Sequence, residues 1–424
     1  MMALTVRWGG MLPTELSGMA WLRKQIAAVM DSVAAAAEGW KPDIILANQL
    51  AYGQVHVAEK LRVPLHILLT IPWLPTAAIP HPWARAWGAN VTDYVNAAAE
   101  KLLAPGLALL SWFAPETGRR VKQAALARVA AAANWASTPL LDHTAWWGIA
   151  DLMIGLRRRL GLPLLSANNT GSALYRQPTT CLFSTALVPR PPDWGSNVTL
   201  AGFLSLNDAA ASSSWQPPEE LLQFLGAGAP PIYVGFGSMV VQDPQQLVCM
   251  VRQAAAALPA GQRVILCTGW SGTAAAAAAD AASGAAAAAA DAAAASNGSA
   301  GDVRVLCIAE APHEWLFPKC CSLVHHGGVG TTAAGLRCGK PTMVVPAFGD
   351  LFFFADVCHQ LGVGPAPIPL PELTAQRLLA ALQQLVAEQR RYGAAASKVA
   401  DELRSEDGLA AAVASVARTL VNAK

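Results

Sequence analysis

Val324-His-His-Gly-Gly-Val-Gly-Thr-Thr332 is the most informative stretch of this 424-residue chain. The apolar run 323–326 reads as a strand, and a helical pattern over 331–338 follows it. Between them, Gly327, Gly328 and Gly330 permit positive φ and let the backbone approach a ligand closely. The exposed N–H groups and dipole of a helix beginning near Thr331 favour an anion. His326 and the hydroxyls of Thr331 and Thr332 add further donors. The alternative is a glycine turn that merely reverses the chain. No Gly-Lys-Ser/Thr follows, so this is not a P-loop, and the spacing differs from the dinucleotide fingerprint. Strand, glycine turn and helix in this order make a diphosphate cradle at the carboxyl end of a parallel sheet.

Working outward, 231–236, 263–268, 303–308 and 342–346 read as further strands. Helices are predicted over 244–258 and 374–389. This alternation predicts a doubly wound α/β domain. Nearer the N-terminus a helix is predicted over 18–38. Strands at 43–48 and 65–70 flank a helix at 51–61, the pattern of a βαβ unit. Residues 92–165 read as largely helical, interrupted near Pro105 and Pro139. Runs 181–184 and 198–203 look extended. Two domains follow: 1–195, and 196–424 with a low-complexity alanine tract at 274–300. That tract reads as a surface insertion without chemistry, because long inserts cost little loop entropy.

Composition narrows the function. The net charge is only +2 and charged residues are 14% of the chain, so there is no basic footprint for nucleic acid. No segment offers the roughly 20 consecutive apolar residues of a transmembrane helix. Eight cysteines are scattered without a C-x-x-C pair. They read as reduced thiols, which points to a cytoplasmic protein.

With Ala311-Pro-His-Glu-Trp-Leu-Phe-Pro318 before it and Pro346-Ala-Phe-Gly-Asp350 after it, the central motif resembles the donor-binding signature of the UDP-sugar glycosyltransferases. Those proteins have the GT-B fold, two facing Rossmann-like domains. The similarity is closest to the sterol 3β-glucosyltransferase branch. It extends to 51–59, 72–76, 80–82, Gly235-Phe-Gly-Ser238 and 362–369, and covers the chain from about residue 10 onward apart from the alanine tract.

That resemblance implies transfer of glucose from UDP-glucose to the 3β-hydroxyl of a sterol, inverting and without a metal or other cofactor. Gly237 and Ser238 would lie beside the donor phosphates and Trp270 near the nucleotide. Ala311 and His313 would approach the uracil through backbone. His326, Gly328, Gly330, Thr331 and Thr332 would hold the diphosphate, and Asp350 would accept glucose hydroxyls. Trp73, Thr76 and His81, with Trp83 and Trp87, would line an apolar acceptor cleft. The partners implied are a UDP-sugar and a sterol or other lipid acceptor, with peripheral membrane contact through the aromatic loop. On the bland reading, Trp315 and Phe317 are core, His325 points away from the ligand, and His56 is structural.

Two positions depart from the family pattern. Leu351 stands where the family usually has Gln beside the sugar-binding Asp. The family's first domain also opens with a strand and a Gly-Thr-Arg-Gly-Asp-type loop to which the catalytic base is ascribed. No counterpart precedes Trp40, so the first domain is expected to be incomplete, with its base unassigned. A binding protein without turnover is the alternative expectation.

Overall fold

The computed structural model describes residues 16–84, 97–98, 101, 115–164, 170–205, 215–237, 244–269 and 304–423. Among these the chain divides into two compact units. One runs to Leu204 and resumes at Glu406; the other is Ser205–Ser405.

The Ser205–Ser405 unit is built on five parallel strands: β5 (Ile232–Gly235), β6 (Val264–Cys267), β7 (Val305–Ile308), β8 (Ser322–His325) and β9 (Thr342–Val344). Their spatial order is β7-β6-β5-β8-β9. The chain therefore builds outward from β5 in one direction, then returns to add β8 and β9 on the other side. This is the doubly wound order, and the reversal between β5 and β8 is its topological switch point.

Period-two alternation explains why helices cover both faces. Ile232, Val234, Leu266, Val324 and Met343 share one core with the helices α6 (Pro244–Ala256) and α10 (Ala375–Ala387). Tyr233, Ile265, Leu306 and Leu323 enter the opposite core with Leu316 and Phe317. Helix α5 (Glu219–Gly226) precedes β5, α7 (His313–Leu316) precedes β8, α8 (Val329–Arg337) follows β8, α9 (Leu351–Gln360) follows β9, and α11 (Gln389–Ser405) follows α10.

The other unit has four parallel strands in sequential order: β1 (Ile45–Asn48), β2 (Leu65–Leu69), β3 (Thr179–Cys181) and β4 (Val198–Leu200). Helices α1 (Leu16–Trp40), α2 (Gln54–Leu61) and α3 (Pro115–Arg159) pack through Ile26, Met30, Val57, Ile149, Met153 and Leu156. Helix α4 (Thr170–Tyr175) precedes β3. The break expected at Pro139 does not occur: α3 runs through it. A proline takes the N–H from the carbonyl four residues earlier. That residue, Trp135, is half exposed, where water can serve the carbonyl. Pro105 and the alanine tract lie outside the described residues.

The last helix departs from the expected boundary. Residues 406–424 were assigned by sequence to the second domain, but α12 (Gly408–Asn422) packs on the first sheet. Thr419 Oγ1 meets His66 Nδ1 at 2.7 Å, and His66 Nε2 meets Thr180 at 2.8 Å. Ser415 bonds Thr199 at 3.1 Å, and Glu406 accepts from Ser184 at 2.7 Å. These partners cannot be read from local periodicity: His66 and Thr180 lie 114 residues apart in sequence, and the other three pairs more than 200.

Candidate functional site

The carboxyl ends of β5 and β8, on either side of the switch point, meet at a histidine. A Cβ placed on Gly237, just past β5, would lie 2.7 Å from His326 Cε1, and Gly237 has φ +61. A Cβ on Gly328 would lie 2.5 Å from Nε2 of the same ring. The His326 ring thus occupies the space that side chains at both glycines would need. Its residue is 9% exposed, and its Nδ1 has no partner among the described residues. Burial, then the neighbouring His313, pushes its pKa down to about 4. It is a neutral imidazole at pH 7, able to donate or accept one hydrogen bond.

His325 organises the turn. It is fully buried, and its Nδ1 accepts the Gly327 N–H at 3.0 Å. That bond puts the His325 proton on Nε2. Gly327 itself has φ +95, and a Cβ there would lie 2.7 Å from Val344 Cγ1 and 2.9 Å from the Leu351 carbonyl. Only glycine fits this corner.

Helix α8 then starts at Gly328 without any side-chain cap. The N–H of Thr332 is the first to reach a helical carbonyl, that of Gly328, at 2.9 Å. The N–H groups before it form the open positive end of the helix. A Cβ on Gly330 would meet nothing within 4 Å. Its missing side chain leaves space, not a packing contact. An unpartnered imidazole, uncapped amides and an empty glycine face together can receive an anion.

The neighbouring strand ends complete the edge. The Gly269 N–H donates to the Ala309 carbonyl at 2.9 Å, joining the loops after β6 and β7. Ala311 is half-buried. His313 stacks on Phe317 with ring centroids 4.4 Å apart and a 14° interplanar angle. Asp350 heads α9 and is half-buried.

The other unit carries an apolar cleft at the carboxyl ends of β1 and β2. Its empty volume, open to solvent, is about 750 Å³, and Trp73, Tyr52, Trp146, Ile149 and Asp142 are among its walls. Trp73 packs edge-on against His81 at 4.4 Å and Trp83 at 4.8 Å. Its Nε1 donates to Asp142 at 3.2 Å. Thr76 donates to Asp193 at 2.6 Å, and Asp193 also takes the Ala77 N–H at 2.7 Å. His81 Nδ1 accepts the Trp83 N–H at 3.1 Å, and burial pushes its pKa down to about 3.

Comparison with known proteins agrees with this architecture. The family described as Erythromycin biosynthesis protein CIII-like, C-terminal domain, matches residues 287–418. A sterol 3-beta-glucosyltransferase of Arabidopsis thaliana is 33% identical over 423 residues, which cover 97% of this chain and 57% of that protein. Along nearly its whole length the chain is similar to sterol 3β-glucosyltransferases. It spans little more than half the length of that plant relative. Among solved structures, the kitacinnamycin glycotransferase matches with a TM-score of 0.56 at 18% identity, over 97% of this chain and 85% of that one. Glycosyltransferase VinC in complex with dTDP matches with a TM-score of 0.50 at 18% identity, over 99% of this chain and 84% of that one. These likenesses give the fold, which is GT-B.

Set against the sequence expectations, the site divides. The structure brings Gly237, His326 and Gly328 together and puts Gly330 and Thr331 on the first turn of α8. Thr332 differs. Its hydroxyl donates to the Gly328 carbonyl at 2.9 Å and the residue is fully buried, so it locks the helix start instead of facing a ligand. Ser238, Trp270 and Trp87 lie outside the described residues. Phe317 is core as expected. Leu351 is 5% exposed and belongs to the main core, which gives an apolar residue a use at that position. Of the acceptor-side residues, Trp73 lines the cleft, while Thr76 and His81 are held inside their loop. Sequence reading missed Asp142, whose acidic side chain in a helical run looked like any solvated residue. Its only signal was an aspartate among Leu140, Leu141, Trp146 and Trp147.

Proposed function

We propose that this chain transfers glucose from UDP-glucose to the 3β-hydroxyl of a sterol, with inversion at the anomeric carbon. The acceptor oxygen bonds to that carbon as the bond from carbon to diphosphate breaks. The electron pair leaves on UDP, and the acceptor proton passes to a base. Charge then develops on the diphosphate, and stabilising it is the task of fixed donors.

The observation that carries this reading is the His326–Thr331 turn at the switch point. The neutral His326, the amides of Val329, Gly330 and Thr331 and the α8 dipole would take the charge that a metal takes elsewhere. Among the described residues no cluster of three or more His, Cys, Asp or Glu could hold a metal ion. Ala311 and His313 would take the uracil edge, and Asp350 the glucose hydroxyls. The relatives' names favour an active transferase over a binding protein without turnover. We assign the protein to the cytoplasm, touching membrane only peripherally. No helix among the described residues is long and apolar enough to cross a membrane.

Calorimetry tests the donor site directly. His326→Ala should weaken UDP binding about tenfold, the worth of one good hydrogen bond to a charged group. Unchanged affinity would overturn the assignment. Transfer of radiolabelled glucose to cholesterol by the full chain tests the reaction.

A further inference from the structure

We propose that Asp142 reads the hydroxyl of an apolar alcohol bound in the cleft of the first unit. This rests on the transferase reading above and names a residue for its acceptor side. Asp142 sits on α3 among Tyr52, Trp73, Trp146, Ile149 and Met153. A carboxylate in apolar surroundings is costly unless it is hydrogen-bonded. Among the described residues each oxygen has one donor: Trp73 Nε1 on Oδ1 at 3.2 Å and the Tyr175 hydroxyl on Oδ2. An ionised carboxylate offers about four acceptor sites. Two donors hold it in place and leave capacity for a third.

A second polar group points the same way. Gln49 lines the cleft, is 8% exposed, and its Oε1 has no partner among the described residues. Tyr52, Gln54 and His56 also line the cleft, but most of its wall is apolar, and two acceptors there suit a ligand with a large hydrocarbon body and one hydroxyl donor. The location agrees too, because open α/β sheets bind ligands at the carboxyl ends of their strands. Burial raises the Asp142 pKa against the opposing pull of its two donors, so the carboxyl is more basic than an exposed one in the same bonds.

The competing role is purely structural: Asp142 would only tie the loop after β2 to α3 and α4. Equilibrium binding of radiolabelled cholesterol and of cholesteryl methyl ether, delivered from cyclodextrin to the full chain, separates the two. The ether keeps the body and loses the donor. The wild-type chain should prefer the alcohol about tenfold or more. Asp142→Asn should cut that preference below about threefold, since losing the charge roughly halves the hydrogen bond. A structural Asp142 would shift the thermal melt and leave the preference intact, and that result overturns the proposal.

Should Asp142→Asn fail to fold, Ala145→Leu decides. Ala145 is exposed and lines the cleft, so a larger side chain fills space without core cost. It should weaken both sterols alike. Wild-type affinity for both in Ala145→Leu places the ligand elsewhere and rejects the proposal. UDP titrated in parallel keeps the two readings apart. Intact UDP binding with no alcohol preference rejects Asp142 alone, whereas a wild-type chain that cannot bind UDP rejects the transferase reading itself.

Discussion

The glycine turn after β8 and the aromatic loop after β2 occupy equivalent places, each at the carboxyl edge of a parallel sheet. They are built from opposite materials. The turn is made of backbone: glycines at 327, 328 and 330, uncapped amides and one buried imidazole. The loop is made of side chains: Trp73, His81 and Trp83 pack on one another, and Asp142 and Asp193 tie them down. A backbone site recognises what is constant in its ligand, such as a diphosphate. A side-chain site can be altered residue by residue to suit a changing hydrocarbon. The contrast predicts that steric changes break the first region and deletion of polar atoms breaks the second.

The largest effect should come from Gly327→Ala. The new methyl would sit 2.7 Å from Val344 Cγ1 and 2.9 Å from the Leu351 carbonyl, at φ +95. Strain and overlap together should cost about 2–4 kcal/mol, visible as a lowered denaturant midpoint. Wild-type stability in that variant would mean the turn is not held as tightly as its geometry implies.

Acid should come next, and it reaches both regions. His56 and His326 are each held down to about 4 and His81 to about 3, chiefly by burial. A histidine depressed in the fold takes up its proton more readily when unfolded. Its contribution is therefore complete above pH 6.5 and is lost as pH falls toward its folded value. Asp142, raised by burial, acts in the opposite sense and offsets part of this. Denaturation midpoints should fall steadily from pH 6.5 to about 4. A flat profile would mean these imidazoles are less buried than described.

Gly330→Ala should separate ligand from fold. Nothing lies within 4 Å of its missing side chain, and alanine suits a helix better by up to about 1 kcal/mol. Stability should hold or rise while UDP affinity drops about tenfold, because the methyl occupies space left for the diphosphate. Unchanged UDP binding would remove Gly330 from the site.

The same contrast decides what the sequence could reveal. Strands β5 to β9 were legible because each is a short apolar run, and β5, β8 and β9 are buried on both faces, while β7 at the sheet edge is only partly so. The glycine turn was legible because its chemistry lies in consecutive residues. Asp142 was not, since its role depends on Trp73 and Tyr175, which lie 69 and 33 residues away. The place of helix α12 was not legible for the same reason: the sequence put 406–424 in the second domain, but contacts with His66 and Thr199 seat the helix on the first sheet. Thr332 shows the limit within the motif itself. The residue type was right for phosphate, but its hydroxyl bonds the carbonyl four residues earlier, as a mid-helix threonine often does.

The smallest effect should come from Thr76→Val on the side-chain-built loop. The substitution keeps the shape and deletes one hydroxyl, which donates to Asp193 at 2.6 Å. Asp193 keeps the Ala77 N–H at 2.7 Å, so the carboxylate is not stranded. The hydroxyl also accepts the Ala78 N–H at 3.0 Å, so two hydrogen bonds are lost, about 1–2 kcal/mol of stability. The two regions share no residue, so UDP affinity measured by calorimetry should not change. A fall in UDP affinity in this variant would show that the loop and the glycine turn are coupled, and the division into a backbone site and a side-chain site would have to be abandoned.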